Sequence, residues 1–148
     1  METDTKIRVL VVDDHEYMCQ GLRILIDKQD DMEVVGVADC GESAVKLARK
    51  LFPDVVVTDF SMGEMDGIDA ARQIMSTNPN TRILLISANL SSEIVSRAIK
   101  AGILGFMSKE SMFSELSCAI RAVYNNEKYT CSQTIKLTAR NISVKESI

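Results

Sequence analysis

Residues 54–67, DVVVTDFSMGEMDG, contain the pattern on which the fold prediction depends. The stretch begins with a β-branched apolar run, Val55 to Val57, which is too short for a helix and is typical of a central strand covered on both faces. The strand is followed by Asp59 and by a loop with Gly63 and Gly67, where the backbone can turn freely. Open parallel sheets bind ligands at the carboxyl ends of their strands. A lone Asp at such a place is more often a cap or turn residue, so the role of Asp59 depends on the rest of the chain.

The length and composition indicate one domain with a sizeable core. The chain has 148 residues, of which 46% are hydrophobic and 26% charged. Its formal net charge of -4 argues against a chain that itself wraps nucleic acid, because such a chain needs a basic face. Residues 1–6 are polar rather than a signal peptide, and no apolar run approaches the ~18 residues of a membrane span. We therefore expect a cytoplasmic protein that does not contact the membrane.

The cysteines and the single histidine give no metal or disulfide pattern. The cysteines lie far apart in the chain, at Cys19, Cys40, Cys118 and Cys131. Without a C-x-x-C pair, the usual zinc spacings are excluded and no disulfide framework is indicated. His15 has no second histidine to accompany it, so we interpret it as part of a helix start rather than as a phosphoacceptor or metal ligand.

Short apolar runs alternate with segments of helical periodicity along most of the chain. The predicted strands are 7–12, 34–38, 55–57, 83–86 and 103–107, and the predicted helices are 16–28, 44–51, 68–76, 91–102 and 112–123. Such alternation with short connections is typical of an α/β fold with a doubly wound parallel sheet, (βα)5, and right-handed crossovers favour the flavodoxin-like strand order 2-1-3-4-5. The pattern ends after Asn125, and we expect residues 127–148 to form a linker or a C-terminal tail.

Polar side chains follow four of these strands at the edge where parallel strands end. They are Asp13 and Asp14, Asp59, Ser87, and Lys109. In the predicted order, the first and fourth strands flank the third at about 4.8 Å, a gap that Asp and Ser side chains can span. The fifth strand lies two spacings away, at roughly 10 Å, and the residue there is Lys109. The length of each side chain therefore matches the distance of its strand from Asp59.

Three carboxylates at this edge would repel one another. At ~4 Å and an effective dielectric near 20, each pair costs on the order of 4 kcal/mol. Either one Asp keeps a proton, or a hard dication binds, and an all-oxygen set of ligands selects Mg²⁺. We predict Asp14 and Asp59 as direct ligands, Asp13 as a ligand through water, and the backbone carbonyl of Ser61 as the remaining protein ligand.

Taken together, these motifs resemble the receiver domain of two-component response regulators. The resemblance covers about residues 5–126 and is carried by Asp13-Asp14, by Asp59 with MGEMDG at 62–67, by Ser87-Ala88, and by GFMSK at 105–109. The segment 115–123, ELSCAIRAV, further resembles the last receiver helix of the NarL/LuxR-type subgroup. One departure is Gly63, where receivers commonly carry Pro, and we expect this loop to be more mobile as a result.

The resemblance implies a phosphorylation-controlled signalling module rather than an enzyme. Asp59 would accept a phosphoryl group from the phosphohistidine of a sensor histidine kinase, with Mg²⁺ required. Lys109 and the Ser87 hydroxyl would hold phosphoryl oxygens, and Ser87 with Phe106 would form the switch. Self-dephosphorylation would be slow.

The output of such a module stays open at this point. The segment 137–140, LTAR, faintly resembles the opening of a LuxR-type helix-turn-helix domain. The chain would then be the receiver part of a transcriptional regulator that reaches DNA only through an output domain outside this chain, with homodimerisation on phosphorylation. The alternative is a stand-alone receiver that acts by protein–protein interaction. A hydrolase of the haloacid dehalogenase type would want Asp-x-Asp-x-Thr, and Asp59-Phe60-Ser61 lacks the second Asp.

Overall fold

The structure, a computed structural model, describes residues 5–130, which form one parallel sheet with helices on both faces. The strands are β1 (Ile7–Val12), β2 (Met32–Ala38), β3 (Val55–Asp59), β4 (Arg82–Ser87), β5 (Gly105–Ser108) and β6 (Tyr129–Thr130). The helices are α1 (Glu16–Asp27), α2 (Gly41–Leu51), α3 (Gly67–Thr77), α4 (Ser92–Ala101) and α5 (Met112–Tyr124), with a 3-10 turn at Lys109–Ser111. The sheet order is β2-β1-β3-β4-β5-β6, so the predicted doubly wound fold and the order 2-1-3-4-5 are confirmed.

The core consists of two apolar layers, one on each face of the sheet. Alternate residues of a strand point to opposite faces, so that Val55 and Val57 of β3 pack with α1 and α5, and Val56 packs with α2, α3 and α4. Every residue of β3 is buried. A strand covered on both faces has no polar side to show, which explains its unbroken apolar sequence.

The helices begin and end at residues with clear local reasons. Asp66 caps α3 by accepting a hydrogen bond from the backbone N–H of Asp69 at 2.9 Å. Ser91 caps α4 in the same way, and Gly102 ends it with a φ of 91°, in the left-handed region that favours glycine. Within residues 5–130, the helices have 10 to 13 residues, and none of them is long and apolar enough to cross a bilayer.

The sixth strand differs from the sequence prediction, which places a linker or tail from residue 127. Tyr129 and Thr130 pair in parallel with Gly105 and Phe106 of β5. The Tyr129 hydroxyl also donates a hydrogen bond to the Glu115 carboxylate on α5. A strand of two residues is too short to show a period in the sequence, so only the structure reveals it. The rest of the predicted tail, including Cys131 and 137–140, lies outside the described residues.

Candidate functional site

Two buried carboxylates lie side by side at the carboxyl edge of the sheet. Asp59 ends β3 and is 4% exposed, and Asp13 directly follows β1 and is 2% exposed. Because β1 and β3 pair in parallel with Val12 opposite Thr58, the next residue of each strand comes to the same place. Asp14 stands beside them and is exposed. One ligand atom each of Asp13, Asp14, His15 and Asp59 all lie within 4.8 Å of one another.

Lys109 reaches this cluster from the end of β5. Its ammonium nitrogen lies 3.5 Å from Oδ2 of Asp59 and 3.9 Å from Oδ2 of Asp13. The side chain is 21% exposed and passes over β4, which separates β5 from β3 in the sheet. The structure therefore brings Lys109 next to Asp59, as its side-chain length predicts.

The electrostatic environment of Asp59 is unfavourable for its charged form. Burial raises the pKa of Asp59 above its usual range, and the Asp13 carboxylate raises it further. The Lys109 ammonium acts in the opposite direction and lowers the pKa of Asp59, but does not fully compensate for burial and the Asp13 carboxylate. A second cation at this place would relieve the remaining repulsion among the carboxylates.

His15 is the residue of this cluster that sequence reasoning did not place there. It precedes α1, as the predicted helix start requires, but its side chain makes no capping hydrogen bond. The ring Nδ1 lies 2.9 Å from Oδ1 of Asp14 and 3.1 Å from Oδ1 of Asp13, and the backbone N–H donates to the same Asp13 oxygen at 2.9 Å. The signal that could have found it is its position directly after two aspartates, since only a short turn is needed to bring the ring back to them.

The donor set fits a hard divalent cation. Asp13, Asp14 and Asp59 offer carboxylate oxygens at close range, and oxygen is the ligand that Mg²⁺ prefers in proteins. Oδ1 of Asp13 already accepts a hydrogen bond from the backbone N–H of His15 and lies 3.1 Å from its ring Nδ1, whereas Oδ2 faces Lys109 at 3.9 Å. The acidic pocket formed by these three aspartates could therefore bind a metal. Ser61 is an exposed residue of the following loop, and its carbonyl stays a predicted ligand.

Ser87 and Phe106 are both buried near this edge. Ser87 ends β4 and is 5% exposed; its hydroxyl donates to the carbonyl oxygen of Asn89 at 3.1 Å and accepts from the N–H of Asn89 at 3.2 Å. Phe106 lies on β5, opposite Leu85 of β4. It packs in the core layer of α2, α3 and α4 and is 3% exposed. The Ser87 hydroxyl must break its hydrogen bond to the Asn89 carbonyl before it can donate to a new acceptor.

The segment 60–66, which we call the β3–α3 loop, is closed tightly at its two ends. The N–H of Phe60 donates to the Ile86 carbonyl at 2.9 Å, and the N–H of Gly67 donates to the Phe60 carbonyl at 2.8 Å. A Cβ on Gly67 would overlap the backbone carbonyl of Asp59, so only glycine fits there. Gly63 has a φ of 88°, which proline, fixed near −65°, cannot adopt.

Comparison with known proteins shows that the chain is similar in sequence to response regulators. Residues 9–121 match the family model described as "Response regulator receiver domain". The chain is 35% identical over 127 residues to the response regulator GacA of Pseudomonas aeruginosa, and this match covers 86% of this chain and 59% of GacA. It is 36% identical over 126 residues to the response regulator UvrY of Escherichia coli strain K12, covering 85% of this chain and 58% of that one. The chain thus spans less than two thirds of the length of these relatives.

Solved structures give the same result at the level of coordinates. A LuxR-family two-component response regulator from Aurantimonas sp. SI85-9A1 superposes with a TM-score of 0.89 at 29% identity, over 94% of this chain and 99% of that one. The signal receiver domain of the putative response regulator NarL from Mycobacterium tuberculosis superposes with a TM-score of 0.78 at 36% identity, over 82% of this chain and 98% of that one.

Proposed function

This chain belongs to the response regulator receiver family of two-component systems, with relatives of the NarL/LuxR type, and on that basis we propose that Asp59 is its phosphoacceptor. The phosphoryl donor is the phosphohistidine of a sensor histidine kinase, and the protein acts in the cytoplasm. One observation carries the proposal above all others. A buried carboxylate at a strand end has a lysine ammonium at 3.5 Å and two further aspartates close by.

The transfer needs little covalent help from the protein. An Oδ atom of Asp59 forms a bond to phosphorus while the P–N bond of the phosphohistidine breaks, and the departing imidazole nitrogen keeps the electron pair and takes up a proton. Such a transfer has a loose transition state, so positioning and charge neutralisation supply most of the catalysis. Lys109 holds one phosphoryl oxygen, and Ser87 takes another once its hydroxyl has left Asn89.

The metal ligands in this proposal are Asp14 and Asp59 directly, Asp13 through water, and the backbone carbonyl of Ser61. When bound, Mg²⁺ supplies positive charge next to the phosphoryl oxygens. Oδ1 of Asp13 accepts a hydrogen bond from the backbone N–H of His15, and Oδ2 faces the Lys109 ammonium at 3.9 Å; because both of its oxygens already have polar partners, these contacts support an indirect role for Asp13. Ala88 is small and exposed beside the site, which leaves room for the donor and for water, so the aspartyl phosphate hydrolyses slowly without a separate phosphatase.

The output of the domain follows from the movement of Ser87. When its hydroxyl turns toward the phosphate, it vacates space into which the ring of Phe106 can move, and the surface of α4 and β5 repacks. This chain would then be the receiver part of a LuxR-type transcriptional regulator that dimerises on phosphorylation and reaches DNA through an output domain outside residues 1–148. A related receiver protein, RcsB, has been solved as two dimers bound to two parallel DNAs, at 25% identity to this chain.

The test is the intact mass of the protein after incubation with acetyl phosphate and Mg²⁺. We expect the wild type to gain the mass of one phosphoryl group and Asp59→Asn to gain none. Addition of EDTA should also abolish the gain. Equal labelling of both proteins, or no labelling of the wild type, would refute the assignment of Asp59. Rapid release of inorganic phosphate in many turnovers would instead indicate a hydrolase.

A further inference from the structure

A single arginine on α4 contacts both ends of the β3–α3 loop. Nη2 of Arg97 lies 3.2 Å from Oδ2 of Asp66 and 3.8 Å from Oδ1 of Asp69. Its guanidinium carbon also lies 5.8 Å from the centre of the Phe60 ring, within the range of a cation–π contact. Phe60 is the first residue of the loop and Asp66 is the last, so Arg97 joins α4 to the loop at both of its ends.

The partners of Arg97 are placed so that each has a defined role. Oδ1 of Asp66 accepts the capping hydrogen bond from the N–H of Asp69, which leaves Oδ2 for the guanidinium. Asp66 is 22% exposed and Arg97 is 39% exposed, so the ion pair is partly shielded from water. Phe60 directly follows the proposed phosphoacceptor Asp59 in the chain. The contacts of Arg97 therefore act on the backbone that connects Asp59 to α3.

The buried side chain of Met62 anchors the middle of this loop in the core, whereas Ser61, Gly63 and Glu64 on either side of it are exposed. Gly63 is exposed, has a positive φ, and has no atom within 4 Å of the place where a Cβ would stand. Glycine loses more conformational freedom on ordering than any other residue. The proposed metal ligand Ser61 lies in this part of the loop, between Phe60 and Gly63. Ordering the loop before the metal arrives would remove an entropic cost from metal binding.

We propose that Arg97 is a positioning residue that holds the β3–α3 loop in its Mg²⁺-binding form. This inference rests on the proposed function, because it requires that the acidic pocket binds Mg²⁺. The expected effect of Arg97 on Mg²⁺ affinity is opposite in sign to simple charge repulsion. A cation near a metal site weakens metal binding by repulsion, whereas a brace on the metal-binding loop strengthens it. Since the charge of Arg97 is paired with Asp66 and partly solvated, its long-range repulsion is screened, and the brace dominates.

The test compares the Mg²⁺ affinity of the wild type with that of Arg97→Gln, measured on the full chain through backbone amide shifts during a Mg²⁺ titration. The positioning role predicts that Arg97→Gln binds Mg²⁺ about three- to fivefold more weakly, the range of a partly exposed ion pair. Repulsion alone predicts the opposite, that binding becomes tighter. Arg49→Gln in the last turn of α2 is the matched control, because it removes the same charge from an exposed arginine on a different helix. It should leave the affinity unchanged or raise it slightly.

Two further measurements separate a brace from a general effect on stability. Without metal, hydrogen exchange of the amides at 61–65 should accelerate in Arg97→Gln, while the exchange of the β3 amides should not. Asp66→Asn keeps the helix cap but removes the partner charge, and combining it with Arg97→Gln should weaken Mg²⁺ binding by less than the sum of the two single effects. Arg97→Lys should restore part of the affinity, because it keeps the ion pair and loses the planar stacking on Phe60.

The outcomes distinguish this inference from the proposed function. If the wild type shows no Mg²⁺-dependent shifts, the proposed metal site is wrong and the inference fails with it. If the wild type binds Mg²⁺ and Arg97→Gln binds it equally or more tightly, only the role of Arg97 is overturned. Unchanged loop exchange in Arg97→Gln would overturn it as well.

Discussion

The substitution Asp59→Asn should make the protein more stable when no divalent cation is present. The wild type keeps a carboxylate that is 4% exposed next to Asp13, which is 2% exposed. Asparagine has nearly the same shape and removes the charge. The proposed phosphoacceptor would therefore lower the stability of the free protein, as residues selected for chemistry commonly do.

The geometry gives the expected size of this effect. With ligand atoms within 4.8 Å of each other, the repulsion between Asp13 and Asp59 is about 3.5 kcal/mol or more at an effective dielectric near 20. The attraction between Asp59 and the Lys109 ammonium, at 3.5 Å, is about 4.7 kcal/mol in the same medium. These two terms nearly cancel, so the burial of the carboxylate and the charge of Asp14 decide the sign. We expect Asp59→Asn to gain about 1–2 kcal/mol, within the usual range for an imperfectly compensated buried polar group.

The assay is urea unfolding of both proteins at neutral pH, in EDTA and in Mg²⁺. Mg²⁺ binds the native wild type and stabilises it by about 1.4 kcal/mol when its concentration is ten times Kd and by about 2.7 kcal/mol at a hundred times. Because Asp59→Asn lacks a direct ligand, the order of stability should reverse at high Mg²⁺. An exposed carboxylate, Asp30→Asn, serves as control and should change the stability by less than about 0.5 kcal/mol in either buffer.

The pH dependence provides a second check with a definite sign. The folded-state pKa of Asp59 is raised, so the carboxylate costs nothing below its unfolded pKa of about 3.9, where both states hold the proton. The cost appears as pH rises through the folded pKa and is complete above it. The advantage of Asp59→Asn should therefore vanish in acid and grow toward neutral pH. A less stable Asp59→Asn protein in EDTA, or equal stabilisation of both proteins by Mg²⁺, would refute this reasoning.

Three further predictions concern the fold. Gly67→Ala should destabilise the protein by about 2–3 kcal/mol in urea unfolding, because its Cβ would overlap the carbonyl that ends β3. Gly21→Ala, which has open space in α1, should stabilise it by about 0.5–1 kcal/mol. A similar urea midpoint for both variants would contradict this. Arg121 lowers the pKa of Asp31 by a hydrogen bond at 2.8 Å. Because both side chains are at least 40% exposed, solvent screening limits the loss of unfolding free energy in Arg121→Gln to less than about 1 kcal/mol. That loss should be present above about pH 4 and disappear as pH falls through the lowered folded pKa, and a difference that grows in acid would exclude the pair as its source. Tyr129→Phe should cost about 1 kcal/mol and should accelerate hydrogen exchange in β6 more than in β3, and equal exchange would show that the hydroxyl does not hold the sixth strand.

The sequence predicts the fold well because its signals are repeated at every level. Each predicted strand and helix is present, and the sheet order is the predicted one. Some strand boundaries differ from the predicted ones. The predicted strand 103–107 is β5 at Gly105–Ser108, and β2 begins at Met32 rather than at residue 34. Pairing with a neighbour sets these ends, and a single chain segment does not reveal its pairing.

The candidate site was predictable where strand order and side-chain length decide the geometry. Asp13, Asp59 and Lys109 come together for that reason alone. The position of His15 directly after two aspartates could have indicated that its ring lies near them, but the ring's distances to their oxygens depend on the backbone angles of one turn. The role of Arg97 has no sequence signal, because its partners Phe60 and Asp66 lie more than thirty positions away in the chain.

The parallel direction of β6 reverses the course of the chain after α5. Helix α5 runs back along the sheet and ends at Tyr124, at the base opposite the acidic pocket. Without the sixth strand, the polypeptide would depart from that base. By pairing alongside Gly105 and Phe106, Tyr129 and Thr130 turn it round, and at about 3.3 Å per residue they carry it upward beside the proposed switch residue. Thr130, the last described residue, is thus paired with Phe106, so that a shift of β5 would act directly on the sixth strand.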